Sequence, residues 1–208
     1  MSVTGNVLRG LNHAFSNRLS SLGAVGAGLG APEDGPVGAQ VDAEAERLER
    51  LLRLYRLLPF ASGVPEPAQV TYAADDALAL FQYHLAFRDV PCEVDGDPTT
   101  PPVLLNPATL MQAVLLLLCA AARHLGEETM PEGIRLRYEG NADAVELVAE
   151  TNAVASLGGD EPPELRALRW IARDAAVEAA VAVTPRGTVR ATLRLGTLAF
   201  LRRRERGG

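Results

Sequence analysis

Leu8, Leu11, Phe15, Leu22, Val25 and Leu29 fall at a and d positions of a heptad, with Leu19 beside the seam and Arg18 interrupting one d position. This pattern predicts a helix from about Val3 to Leu29 with an apolar stripe made to pack on other helices. A connector punctuated by Gly26, Gly28, Gly30, Pro32, Gly35, Pro36 and Gly38 follows. Val41, Ala45, Leu48, Leu52 and Tyr55 then repeat at helical spacing. They predict a second helix from about Ala39 to Leu58, ended by Pro59. Glu46–Arg50 and Glu49–Arg53 support it as i,i+4 pairs of the favourable order. Residues 1–60 therefore read as a helical hairpin. A lone hairpin leaves apolar surface in water, and pairing two copies into a four-helix bundle would bury it, so a homodimer is expected.

After a Pro- and Gly-bearing linker, Ala61 to Pro67, the pattern changes. Val70 and Tyr72 suggest a short strand, and Asp75 to Arg88 a helix. Cys92 to Val94 and Val103 to Leu105 read as extended pieces. Pro107 to His124 is a strongly apolar helix, with Asn106 suited to its N-cap and Pro107 to its first turn. Gly133 to Tyr138 and Ala144 to Thr151 alternate as strands around Gly140–Asn141. Glu164 to Ala175 reads as a helix. Val177 to Val183 and Thr188 to Leu195 read as a hairpin around Pro185–Arg186–Gly187. Residues 61–208 thus predict an α+β sandwich, with helices on one face of a mixed sheet.

Composition narrows the function. The formal net charge is −6, and a nucleic-acid-binding surface usually needs a basic face, so no nucleic-acid partner is expected. Cys92 and Cys119 form no C-x-x-C pair, and the histidines are scattered, so no metal site is expected. No basic region followed by an apolar one opens the chain, and Val114 to Ala122 is too short to span a bilayer. A cytoplasmic chain with no membrane association is the expectation.

The order of elements resembles the core of sensor histidine kinases, and specific residues carry the resemblance. Leu11–Asn12–His13–Ala14–Phe15–Ser16–Asn17–Arg18–Leu19 looks like the phosphoacceptor motif. Asn106 to Leu118, completed by Cys119–Ala120–Ala121–Ala122–Arg123–His124, looks like the stretch that carries the family's metal-binding Asn. Val145 to Ala153 resembles the strand and turn of the first glycine box, and Gly187–Thr188 to Leu195 the closing strand of the ATPase fold. The resemblance implies a dimerisation and histidine-phosphotransfer hairpin followed by an ATPase-type sandwich.

The departures from that pattern concern nucleotide chemistry. Ala120 stands where the family has the Asn that holds the magnesium of ATP, and Leu116 replaces an earlier Asn. The adenine-binding Asp-x-Gly-x-Gly becomes Thr151–Asn152–Ala153–Val154–Ala155. The second glycine box becomes Glu164–Leu165–Arg166–Ala167–Leu168. Gly158–Gly159 lacks the flanking pattern. Triphosphate binding needs approachable backbone amides and a metal ligand, so no bound cofactor is expected. A degenerate ATPase domain behind a phosphoacceptor hairpin is similar to the dimeric histidine phosphotransferases of phosphorelays.

In that reading His13 is the phosphoacceptor. It falls at heptad f, away from the seam, where a neutral imidazole can take phosphate from an aspartyl phosphate. Asn17, one turn later, is a candidate to orient the phosphoryl group. Arg9, Ser16, Arg18 and Ser20 are candidates to contact a response-regulator receiver domain, which would bring its own magnesium. Ala14 replaces the acid that usually follows the histidine. That substitution keeps open a second reading: a dimeric scaffold or antagonist that docks a response regulator or histidine kinase. His84, among Phe81, Tyr83 and Leu85, reads as a half-buried structural residue. His124 reads as a cation favourable at a helix end. The tail Arg202–Arg203–Arg204–Glu205–Arg206 reads as a frayed end.

Overall fold

A computed structural model describes residues 3–28, 37–58, 64–154, 162–172 and 178–207. Two long helices open the chain, α1 (Val3–Gly28) and α2 (Val37–Leu57), packed side by side. A short strand β1 (Glu66–Ala68) leads into α3 (Val70–Phe81). Strands β2 (Cys92–Gly96) and β3 (Val103–Leu105) precede α4 (Pro107–Ala122). After a 3₁₀ turn at Met130–Glu132 come β4 (Ile134–Gly140) and β5 (Ala144–Thr151). Helix α5 (Pro163–Ala172), strands β6 (Glu178–Val183) and β7 (Val189–Gly196), and helix α6 (Leu198–Gly207) complete it.

The main sheet has the order β2-β4-β5-β7-β6, with β2 parallel to β4 and every other pair antiparallel. β1 and β3 form a separate antiparallel pair. The alternation expected of a sheet with one dry face is plain in β4, where Ile134, Leu136 and Tyr138 are buried and Arg135, Arg137 and Glu139 exposed. Across the wet face a charge row, Glu93–Arg135–Glu150–Arg190, runs over β2, β4, β5 and β7 in register. Arg135 reaches Glu93 at 2.9 Å and Arg190 reaches Glu150 at 2.8 Å. Opposite charges on adjacent strands stabilise such a surface modestly and keep it solvated.

On the dry face α4 is buried nearly all round, between the sheet and helices α3 and α5. Its start follows the expected chemistry. The Asn106 side chain accepts from the Ala108 and Thr109 amides at 3.0 and 3.3 Å, and Pro107 opens the first turn. The β4–β5 turn is closed by Asn141, whose side-chain oxygen accepts from the amides of Asp143 and Ala144. The β6–β7 turn places Gly187 at φ +79°, a conformation that side chains rarely adopt.

Several expectations shift. The strand lies at Glu66–Ala68, overlapping the end of the expected linker, and Val70 to Tyr72 begins α3. The β-branched and aromatic residues there are overridden by helical spacing. Val70, Ala73, Ala74, Ala77, Leu80 and Phe81 are buried on one face, and Tyr72 is left outside. Helix α3 stops at Phe81 instead of Arg88, because the chain turns at His84, whose carbonyl accepts from the Phe87 and Arg88 amides. Gly26, Gly28 and Gly38 lie within helices, while residues 29–36 fall outside the described residues. The Arg-rich tail is helical. Thr197 caps α6 by accepting from the Phe200 amide at 3.1 Å, and Arg203 pairs with Asp143.

Candidate functional site

The seven-residue period of α1 places Arg9, His13, Ser16, Asn17 and Ser20 on one side, and all five are exposed. His13 thus stands in water one turn before Asn17. The Ser20 hydroxyl donates to the Ser16 carbonyl and that of Ser21 to the Asn17 carbonyl, both at 3.0 Å, which satisfies them within the helix. Arg18 does not share this stripe. It turns toward α2 and meets the buried Glu44 at 3.3 Å, where Arg47 also pairs. Ala14, the residue after His13, is half-buried against the core.

The opposite side of α1 is the buried one. Val7 and Leu11 join Leu51 and Leu54 of α2, and Leu58 just after it, in a cluster continuous with the sandwich core. The heptad seam read from the sequence is therefore only partly used within the chain. Leu8, Phe15 and Leu22 are half-buried, and Leu19, Leu52 and Tyr55 are 51%, 46% and 44% exposed. A groove of about 200 Å³ lined by Leu11, Asn12, Phe15, Leu51, Leu52 and Tyr55 runs between the two helices. The side chain of Val25 and the whole of Leu29 lie outside the described residues.

The residues that the sequence resemblance sets against a nucleotide site make structural contacts. Ala120 is fully buried and Leu116 half-buried. The Thr151 hydroxyl donates to the Ala153 carbonyl and accepts from the Val189 amide, both at 2.9 Å, so it ties the end of β5 to β7. The Asn152 amide donates to the Glu132 carbonyl at 2.9 Å. Glu164 is buried and takes a bidentate pair from Arg123, with Nε at 2.9 Å. That hydrogen bonding holds the Arg123 guanidinium above its ordinary pKa. Gly158–Gly159 lies outside the described residues.

The cysteines are poor nucleophiles. Burial pushes the Cys92 thiol up to about 12 and raises Cys119 further. Among the described residues, no group of three or more His, Cys, Asp or Glu side chains could hold a metal ion. Among them also, no helix is long and apolar enough to cross a membrane.

His84 was expected to be half-buried and is almost wholly buried, at 2% exposure. Its ring stacks on Phe87 at 4.5 Å, and the Asn6 amide nitrogen of α1 lies 3.5 Å from its Nε2. That contact joins residues 78 apart, so no local pattern announces it.

Solved structures share this fold. The mycobacterial sensor histidine kinase MprB matches with a TM-score of 0.51 at 17% identity, over 64% of this chain and 97% of its own. The Acinetobacter baumannii histidine kinase AdeS gives 0.51 at 15% identity, over 92% of this chain and 97% of its own. The sandwich is thus a histidine-kinase-like ATPase fold, and identities this low establish the fold alone. No protein-family model and no curated protein matches the sequence.

Proposed function

We propose that this chain is a dimeric histidine phosphotransferase of a two-component system, relaying a phosphoryl group between receiver domains without using ATP. Residues 1–60 act as the dimerisation and phosphotransfer unit, and residues 61–208 as its degenerate ATPase-like support. The observation that carries the reading is the exposed stripe of Arg9, His13, Ser16, Asn17 and Ser20 on a helix backed by this fold. In the transfer a neutral His13 nitrogen attacks the phosphorus of an aspartyl phosphate. The N–P bond forms as the acyl-phosphate P–O bond breaks, the carboxylate leaves with the electron pair, and the ring's other N–H proton is lost to water. A second receiver aspartate reverses these steps. Any magnesium belongs to the receiver.

Three features support a relay without nucleotide. Ala120 offers no metal ligand and has no exposed surface, the Thr151 hydroxyl is consumed by backbone, and the stretch from Glu164 is fixed by Arg123. These residues do not fit a magnesium nucleotide. The exposed Leu19, Leu52 and Tyr55 support a second copy of the hairpin as the missing half of a four-helix bundle. The second reading, docking of a receiver or kinase without chemistry, rests on Ala14, which leaves His13 without the usual neighbouring carboxylate. Incubation with phosphorylated receiver domains separates the two. Acid-labile phosphate on this chain supports transfer. Binding without label supports docking.

A further inference from the structure

The hairpin meets the sandwich at one unusually close point. A Cβ on Gly10 of α1 would lie 1.8 Å from the Tyr83 carbonyl oxygen, so only glycine permits this approach. Beside it, the His84 ring is sealed between Asn6 of α1 and Phe87, with Nδ1 buried and no hydrogen-bond partner for it. The charged groups that act on the ring are Glu164 from α5 and Arg123 from the end of α4. They are paired with each other and act on the ring in opposite directions. From α1 the ring receives only the neutral Asn6 amide, whose nitrogen is a donor and suits an unprotonated Nε2. A second ring proton would meet that donor and have no acceptor.

We propose that α1 is latched onto the sandwich at this Gly10–Tyr83 and Asn6–His84 junction, and that protonation of His84 releases it. The latch sets the posture of the helix that carries His13, one turn before it, and stands whether or not His13 carries phosphate. Release of α1 would hydrate the ring. α1 covers it through Asn6, whereas α5 is held by the buried Glu164 pair.

The direction of the pH effect follows from burial. Desolvation lowers the His84 pKa to about 4, outweighing the attraction of Glu164. A histidine with a depressed pKa in the closed form stabilises closure above its ordinary pKa of 6.5 and loses that contribution as pH falls toward 4. With closed and open values of about 4 and 6.5, the open form gains about 30-fold between about pH 7.5 and pH 5.

Nuclear magnetic resonance titration of the His84 ring in the full chain tests this. The native midpoint should lie well below 6.5, and Gly10→Val, which forces α1 away, should move it upward. A native midpoint at 6.5, or no shift in the variant, overturns the latch. Hydroxyl-radical footprinting of the native chain provides a check that needs no variant. Labelling of Tyr83 and Phe87 should rise at about pH 5 relative to pH 7.5 while Leu147 stays protected. No rise, or an equal rise at Leu147, overturns it.

Discussion

His13 sits on the wet side of α1, so replacing it with alanine removes no buried contact, and helix propensity slightly favours alanine. H13A should unfold in denaturant within about 0.5 kcal/mol of the native chain. If His13 is the phosphoacceptor, phosphate uptake from a receiver should fall to background. Asn17→Ala should alter the rate or lifetime of transfer and leave folding unchanged. Arg123 presents the opposite case. R123A would strand the buried Glu164 carboxylate. Its cost should be about 2 kcal/mol, below that of a fully buried pair, because the Arg123 side chain is 42% exposed. Urea unfolding measures it. The exposure of His13 was legible from the heptad alone. The Arg123–Glu164 pair was not, since it joins two helices whose packing no local pattern records. Arg18 reads in sequence as a candidate receiver contact, and only the position of α2 shows that it pairs with Glu44.

Helix α4 was legible almost to its bounds, because Asn106 and Pro107 mark its start chemically and its apolar run is unbroken. N106A should destabilise the fold by about 1 kcal/mol through the loss of two amide acceptor contacts, as read by thermal or urea unfolding. Helix α3 was displaced in the reading because Val70–Thr71–Tyr72 has strand propensity while its neighbours have helical burial. Burial wins when a face can reach the core. The hairpin helices show a third outcome, in which two apolar surfaces are present and the chain itself fills only one. Leu51, Leu54 and Leu58 face the sandwich, while Leu52 and Tyr55 remain exposed. L52E should therefore leave the protomer folded by circular dichroism and yet dissociate a dimer in sedimentation analysis. A dimer that persists would place the bundle seam elsewhere.

At the scale of the whole molecule, a histidine-kinase-like sandwich supports a helix bearing an exposed histidine. The order of the strands and of the first five helices could be read from periodicity and turn residues, whereas α6 was read as a frayed end. The docking of α1 through Gly10 and His84 could not, because a glycine in an apolar helix carries no signature of its neighbour. Calorimetry with magnesium-ATP should give no binding at micromolar concentrations. The account rests most directly on one measurement, incubation of the native chain and H13A with phosphorylated receiver domains from the same organism, followed by assay of acid-labile phosphate on this chain. Label on the native chain and none on a folded H13A is the predicted result. A native chain that binds the phosphorylated receivers without becoming labelled, or an H13A chain labelled as strongly as the native one, would contradict it.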